Sequence, residues 1–211
     1  PKDTSKGSRI TRRTAPSGAG KSTLVQAIVE GTYDSGGKLQ INGKEASSLA
    51  SLKKICGYVP QEDIMMRDMT VRQNIVFQAE YRLPAEMSKT DKIAQADKVI
   101  TELGLTHVQD REIGDELTRG ISGGQRKRTN VAMEMVSNPK ILILDEPTSG
   151  LDSTSSMALC AALDEITEKE TMTTIAVVHQ PAVEAFECFH NVIILARGGK
   201  TIYAGKRDGL R

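Results

Sequence analysis

Short apolar runs alternate along this chain with longer segments whose apolar residues recur every three or four positions, the pattern of strands interleaved with helices. Residues 38–41, 55–59, 141–144, 174–178 and 192–195 read as strands, most of them apolar enough to be buried on both faces. Helices fit between them. The stretch 21–29 follows a glycine turn, 153–167 carries Leu159, Leu163 and Ile166 on one face, and 181–189 opens on Pro181, which suits a first helical turn. From Gln61 to Asn138 the pattern changes: 71–81, 89–103 and 123–136 all read as helices with no convincing strand among them, so a helical insert is expected in an α/β fold. The tail 192–205 reads as a hairpin about the turn Arg197-Gly198-Gly199-Lys200.

Composition narrows the classes without choosing one. At 211 residues the chain fits a single domain, and a formal net charge of +1 excludes a strongly basic nucleic-acid binder, so no nucleic acid is expected as a partner. Cys56, Cys160 and Cys188 show no CxxC spacing, which argues against a disulfide framework and against a zinc site, and points to a reducing compartment. The longest purely apolar runs, such as 141–144 and 192–196, fall far short of the about 20 residues a membrane helix needs. The chain opens on Pro1 and a polar stretch with no signal peptide, and is expected to be a fragment of a longer protein.

Three motifs carry chemistry. Ala15-Pro16-Ser17-Gly18-Ala19-Gly20-Lys21-Ser22-Thr23 matches the P-loop pattern. Its glycines free successive backbone N–H groups to surround phosphate oxygens at a helix N-terminus. Lys21 would meet the β and γ phosphates of ATP, and the Ser22 hydroxyl would face Mg²⁺, a hard cation that prefers oxygen ligands. In Ile141-Leu142-Ile143-Leu144-Asp145-Glu146, a buried parallel strand delivers two acids to its C-terminal edge, where α/β sheets bind ligands. Asp145 would hold the Mg²⁺ shell and Glu146 would orient or deprotonate a water. Taken alone, the two acids serve equally well as a helix cap. Ser122-Gly123-Gly124-Gln125 supplies a natural N-cap and two glycines at the start of a helix, a second anion-binding end or simply a capped helix.

SGGQ beginning 23 residues before Asp145, followed by DEPTSGLD, resembles the ABC ATPases across nearly the whole chain. The RGISGGQRKR and His179-Gln180-Pro181 strings resemble most the G subfamily, the white-brown half-transporters. The resemblance implies a P-loop NTPase of ABC type: a RecA-like, mostly parallel sheet core over about 8–61 and 139–211, with a helical subdomain over about 62–138. It makes Gln61 the residue that senses Mg²⁺ and the transmembrane partner. His179 becomes the switch histidine at the γ phosphate, although a histidine ending an apolar strand is in itself more often structural. Ser122 to Gln125 of one protomer would close over ATP held by a second ABC ATPase domain, with Ser149, Gly150, Leu151 and Asp152 along that interface. ATP hydrolysis would then drive transport through a transmembrane domain of the same or a partner chain, at the cytoplasmic face of a membrane. A soluble ABC ATPase and a non-catalytic ABC fragment are the competing readings. The basic triplet Arg126-Lys127-Arg128 reads as a solvated helix face.

The sequence departs from this pattern before the P-loop. A central strand should be nearly continuous in apolar residues, yet Ser8-Arg9-Ile10-Thr11-Arg12-Arg13-Thr14 has one aliphatic side chain and three arginines. Burying an unpaired charge costs several kcal/mol. The expectation is therefore that this segment does not form the strand, or that the true strand is missing from an N-terminally truncated or aberrant chain. Ala15 also stands where the loop usually has its first glycine, and no adenine-stacking residue is nominated.

Overall fold

The computed structural model describes residues 10–14, 20–31, 38–47, 55–115, 120–179 and 183–210. Eight strands are present among them: β1 (Ile10–Thr14), β2 (Leu39–Ile41), β3 (Lys44–Ala46), β4 (Cys56–Val59), β5 (Ile141–Asp145), β6 (Thr173–Val177), β7 (Asn191–Leu195) and β8 (Thr201–Lys206). The helices are α1 (Lys21–Glu30), α2 (Val71–Arg82), α3 (Lys89–Glu102), α4 (Gly123–Met135), α5 (Ser153–Lys169) and α6 (Val183–Glu187). Six strands form one sheet in the order β4-β5-β6-β1-β7-β8, and β2 pairs only with β3. All neighbours in the large sheet are parallel except β7 and β8, which form the antiparallel hairpin expected of the tail.

Why β5 and β6 are so apolar follows from what covers them. Leu142, Leu144 and Ala176 face a large core with Leu159 and Leu163 of α5. The alternate residues Ile143, Val177, Ile141 and Ile175 face a smaller cluster with Val25, Ile28 and Val29 of α1. Strands covered on both faces cannot alternate apolar with polar residues, hence the continuous runs. Between β4 and β5 the described residues contain helices, one 3₁₀ turn (Thr106–Val108) and a single isolated bridge between Thr70 and Glu112. There α2, α3 and α4 bury Ile75, Ala79, Ala96, Ile100 and Val131 against one another, continuous with the large core.

The structure corrects the expectation for the arginine-bearing segment. Ile10–Thr14 is a strand, and it lies in the middle of the sheet. Its register runs from Ile10 beside Thr174 to Arg13 beside Val177 on one side, and from Thr11 beside Asn191 to Thr14 beside Ile194 on the other. Parallel main-chain pairing with a neighbour on each side makes this a central strand despite its polar sequence. One strand was also missed by sequence reasoning. Asn42 and Gly43, with φ of 51° and 78°, turn β2 back into β3, and Asn-Gly is the strongest short hairpin signal available; the polar Lys44 and Glu45 hid the second strand.

Candidate functional site

The parallel sheet brings four loops together at its C-terminal edge. Gln61 lies two residues beyond β4, Glu146 one beyond β5, His179 two beyond β6, and Gly20 and Lys21 follow β1. Those four strands are consecutive in the sheet, and Val59 is level with Leu144, Asp145 with Val177, and Arg13 also with Val177. Gln61, Asp145, Glu146 and His179 thus stand at the ends of three adjacent strands on one edge. Ser17, Gly18 and Ala19 lie outside the described residues, as does the side chain of Ser22.

Gly20 has φ 84°, a left-handed conformation that glycine adopts freely, and it caps α1. The helix therefore begins at Lys21 with its N-terminus at the sheet edge, where unpaired N–H groups and the helix dipole favour an anion. Lys21 is buried to 5% exposure and Thr23 is exposed. Asp145 is likewise buried. Burial, then the charges of Asp145 and Glu30, push the Tyr58 phenol above its ordinary range.

Glu146 is the strained residue of the site, with φ 48° in the left-handed region. A non-glycine residue there costs about 1–3 kcal/mol and persists only where its surroundings enforce it. Two backbone bonds do so: the Glu146 N–H donates to Val177 O at 2.9 Å, and Ser149 N–H donates to Glu146 O at 3.0 Å. The carboxylate is then met by Gln61, whose Nε2 donates to Glu146 Oε2 at 3.3 Å. With the amide nitrogen committed, Gln61 Oε1 is the atom left for a cation. Asp145 carboxylate, Ser22 hydroxyl and Gln61 Oε1 are all hard oxygen donors, a set that fits Mg²⁺ arriving with nucleotide.

Ser122 to Gln125 stand on a different part of the molecule. A full capping box opens α4: Ser122 Oγ accepts from Gln125 N–H at 3.3 Å, and Gln125 Oε1 accepts from Ser122 N–H at 2.8 Å. The reading of this segment as a capped helix start is therefore met, with Gly123 exposed and Gly124 buried in the first turn. The same helix end touches the 149–152 turn. A Cβ on Gly123 would lie 3.7 Å from Leu151, and one on Gly124 would lie 3.0 Å from both Cβ and Oγ of Ser155. Ser155 cannot yield easily, because its N–H and hydroxyl both bond to the Asp152 carboxylate at 2.8 Å. Those bonds hold the Asp152 carboxyl below its ordinary range. Gly124→Ala is expected to destabilise the fold by about 1–2 kcal/mol, overpacking outweighing the gain in helix propensity; urea unfolding at equilibrium measures it.

The basic triplet is not a solvated face. Lys127 is buried, ion-paired with Asp63 Oδ1 at 2.8 Å, and donates to the Gln61 carbonyl. Arg128 donates to Gly124 O and Leu103 O, each at 3.4 Å, and Arg126 Nε is buried. The only sequence signal for this role was the acidic Glu62-Asp63 pair following Gln61, which spacing alone could not connect to a helix more than sixty residues away.

The sequence profile of the ABC transporter family matches residues 14–149. The chain belongs to that family. Among its relatives, ABC transporter G family member 28 of Arabidopsis thaliana is 46% identical over 200 residues, covering 93% of this chain and 18% of that protein. The broad substrate specificity ATP-binding cassette transporter ABCG2 of Bos taurus is 40% identical over 197 residues, covering 92% of this chain and 30% of its own length. The CbiO1 structure from Clostridium perfringens, described as part of the ABC transporter complex CbiONQ, superposes with a TM-score of 0.80 at 25% identity, over 97% of this chain and 79% of that one. The resemblance to the G subfamily and the ABC-type ATPase fold are thereby shown, and this ABC domain belongs to a family that hydrolyses ATP. It spans less than a third of the length of the curated relatives named here.

Proposed function

We propose that this chain is the ATP-hydrolysing domain of a G-subfamily transporter, with Gly20 to Thr23, Gln61, Asp145, Glu146 and His179 forming its half of a nucleotide site. The observation that carries the reading is the Gln61–Glu146 contact at the edge where four consecutive parallel strands end. ATP binds through Ser17 to Thr23, with the Lys21 ammonium and the N-terminus of α1 meeting the β and γ phosphates. Glu146 orients the attacking water and accepts its proton as the water oxygen bonds to the γ phosphorus and the β–γ bridging oxygen leaves with ADP. His179 reaches the γ phosphate from the adjacent strand end. Asp145, Ser22 and Gln61 would hold a Mg²⁺ ion arriving with the nucleotide, which would supply charge neutralisation at the phosphate oxygens.

Ser122 to Gln125 complete the site of a second ABC ATPase domain rather than their own, as the family resemblance implies. Supporting this, the start of α4 belongs to the helical insert and adjoins the 149–152 turn. Transport itself belongs to membrane-spanning segments of the same or a partner chain; among the described residues no helix is long and apolar enough to cross a membrane. Their natural seat is a groove of about 700 Å³ beside β4, lined by Tyr58, Phe77, Tyr81 and Arg82. Its aromatic residues are exposed, and its floor is braced by the Arg82–Glu134 ion pair and by Tyr58 N–H donating to Glu134 at 3.1 Å. An exposed apolar groove of this kind marks an interaction surface. The domain then sits at the cytoplasmic face of a membrane. Reading the full coding sequence on both sides tests the proposal: membrane-spanning segments beyond Arg211 or in a co-purifying subunit are expected, and their absence would favour a soluble ABC ATPase.

A further inference from the structure

We propose that Lys127 is a positioning residue that ties the signature-bearing helix to Gln61 and so links the two ATP sites of a dimer through a single protomer. One face of α4 grips three successive residues. Lys127 Nζ donates to the Gln61 carbonyl and pairs with Asp63 at 2.8 Å, while Asn130 Nδ2, one turn on, donates to the Glu62 carbonyl at 3.4 Å. Lys127 and Asn130 are both buried, 8% and 3% exposed. A buried ammonium satisfied by one carboxylate and one carbonyl is costly to displace, so its geometry is enforced. A further side-chain bond from this segment runs from Gln61 Nε2 to Glu146 Oε2 at 3.3 Å. A cavity of about 350 Å³ lies along it, lined by Gln61, Asp63, Arg67, Arg126 and Lys127, with Met65 and Ile113 the apolar residues among its walls. Polar ties rather than packing therefore set the position of Gln61.

The consequence rests on the two-domain site proposed above. The open end of α4, at Ser122 to Gln125, serves the nucleotide of the partner domain. Two residues further on, the same helix fixes the main chain of Gln61, whose side chain meets Glu146 in the protomer's own site. A displacement of α4 when the partner's ATP docks is thus passed to Gln61, and from it to Glu146, through one buried side chain.

The test uses the full-length protein in its membrane. Lys127→Met is expected to lower kcat for ATP by about tenfold, a coupling of ordinary allosteric size. KM for ATP and direct ATP binding should stay within about twofold, because the P-loop is untouched. Lys127→Arg should recover most of the rate. Combined with Gln61→Ala, Lys127→Met should be non-additive, the double variant being no slower than the slower single one, as expected of residues acting through one another. Multiplying effects, an unchanged kcat, or parallel losses in kcat and ATP binding would each overturn the tie. Should Lys127→Met fail to fold, Asp63→Asn keeps the lysine and its carbonyl bond while removing the charge. It should lower kcat by about threefold, within the range of one ordinary net hydrogen bond because the lysine keeps its carbonyl contact, and a wild-type kcat would overturn the proposal. Glu146→Gln separates the two readings. Full turnover in that variant sinks the hydrolytic site itself, whereas a dead Glu146→Gln beside an unaffected Lys127→Met sinks only the tie.

Discussion

Glu146→Gln in the full-length protein is expected to cut ATP turnover by at least about a hundredfold, within the range a positioned general base contributes. Glutamine is nearly isosteric and its amide oxygen can still accept from Gln61 Nε2, so the contact seen at 3.3 Å survives the substitution. What is lost is the capacity to take a proton. Binding of ATP should persist, and with hydrolysis blocked the nucleotide should hold two domains together. Phosphate release measures the first effect and size-exclusion chromatography with Mg-ATP the second. Equal phosphate release from the two proteins would show that Glu146 is not the catalytic carboxylate.

Lys21→Ala should instead act on binding, weakening ATP by about ten- to a hundredfold, the worth of a charge-assisted bond to phosphate. Lys21 opens α1 and is almost wholly buried, so the substitution removes a desolvated ammonium from the helix start proposed to meet the phosphates. A ligand that binds only the folded state raises the melting temperature; that rise, at a fixed Mg-ATP concentration about tenfold above the parent's Kd, should fall by about two thirds or more in the variant. A melting shift equal to wild type would place the phosphates elsewhere.

The two variants together distinguish a domain that binds and cleaves from one that only binds. Loss of turnover with retained affinity in Glu146→Gln, beside loss of affinity in Lys21→Ala, assigns separate work to the carboxylate and the ammonium. The competing reading as a non-catalytic fragment predicts no difference in turnover between Glu146→Gln and the parent.

Where periodicity reflects burial, the sequence was readable. The continuous apolar runs of β5 and β6 and the spacing of Leu159, Leu163 and Ile166 on α5 correspond to faces that are buried in the structure. The order Gln61, Ser122, Asp145, Glu146, His179 was visible because each motif is local in the chain. Two things were not. Strand β1 is paired on both sides, and main-chain bonds leave no mark in the pattern of side chains; three arginines before the loop then read as evidence against it. The Lys127–Asp63 pair was hidden because its partners are 64 residues apart, and a basic residue on a helix is ordinarily solvated. Burial reverses that reading, and burial is a tertiary fact.

The order of strands in the large sheet has a consequence for how the domain matures. Its neighbours β6, β1 and β7 come from opposite ends of the chain, so the middle of the sheet cannot zip until nearly the whole polypeptide is available, and closing such distant contacts is slow. Glu146 holds its backbone conformation in part by donating its N–H to the Val177 carbonyl, and Gln61 meets it beyond the paired ends of β4 and β5. In a nascent chain Gln61 and Glu146 can therefore meet in this geometry only late, once β6 has joined β5.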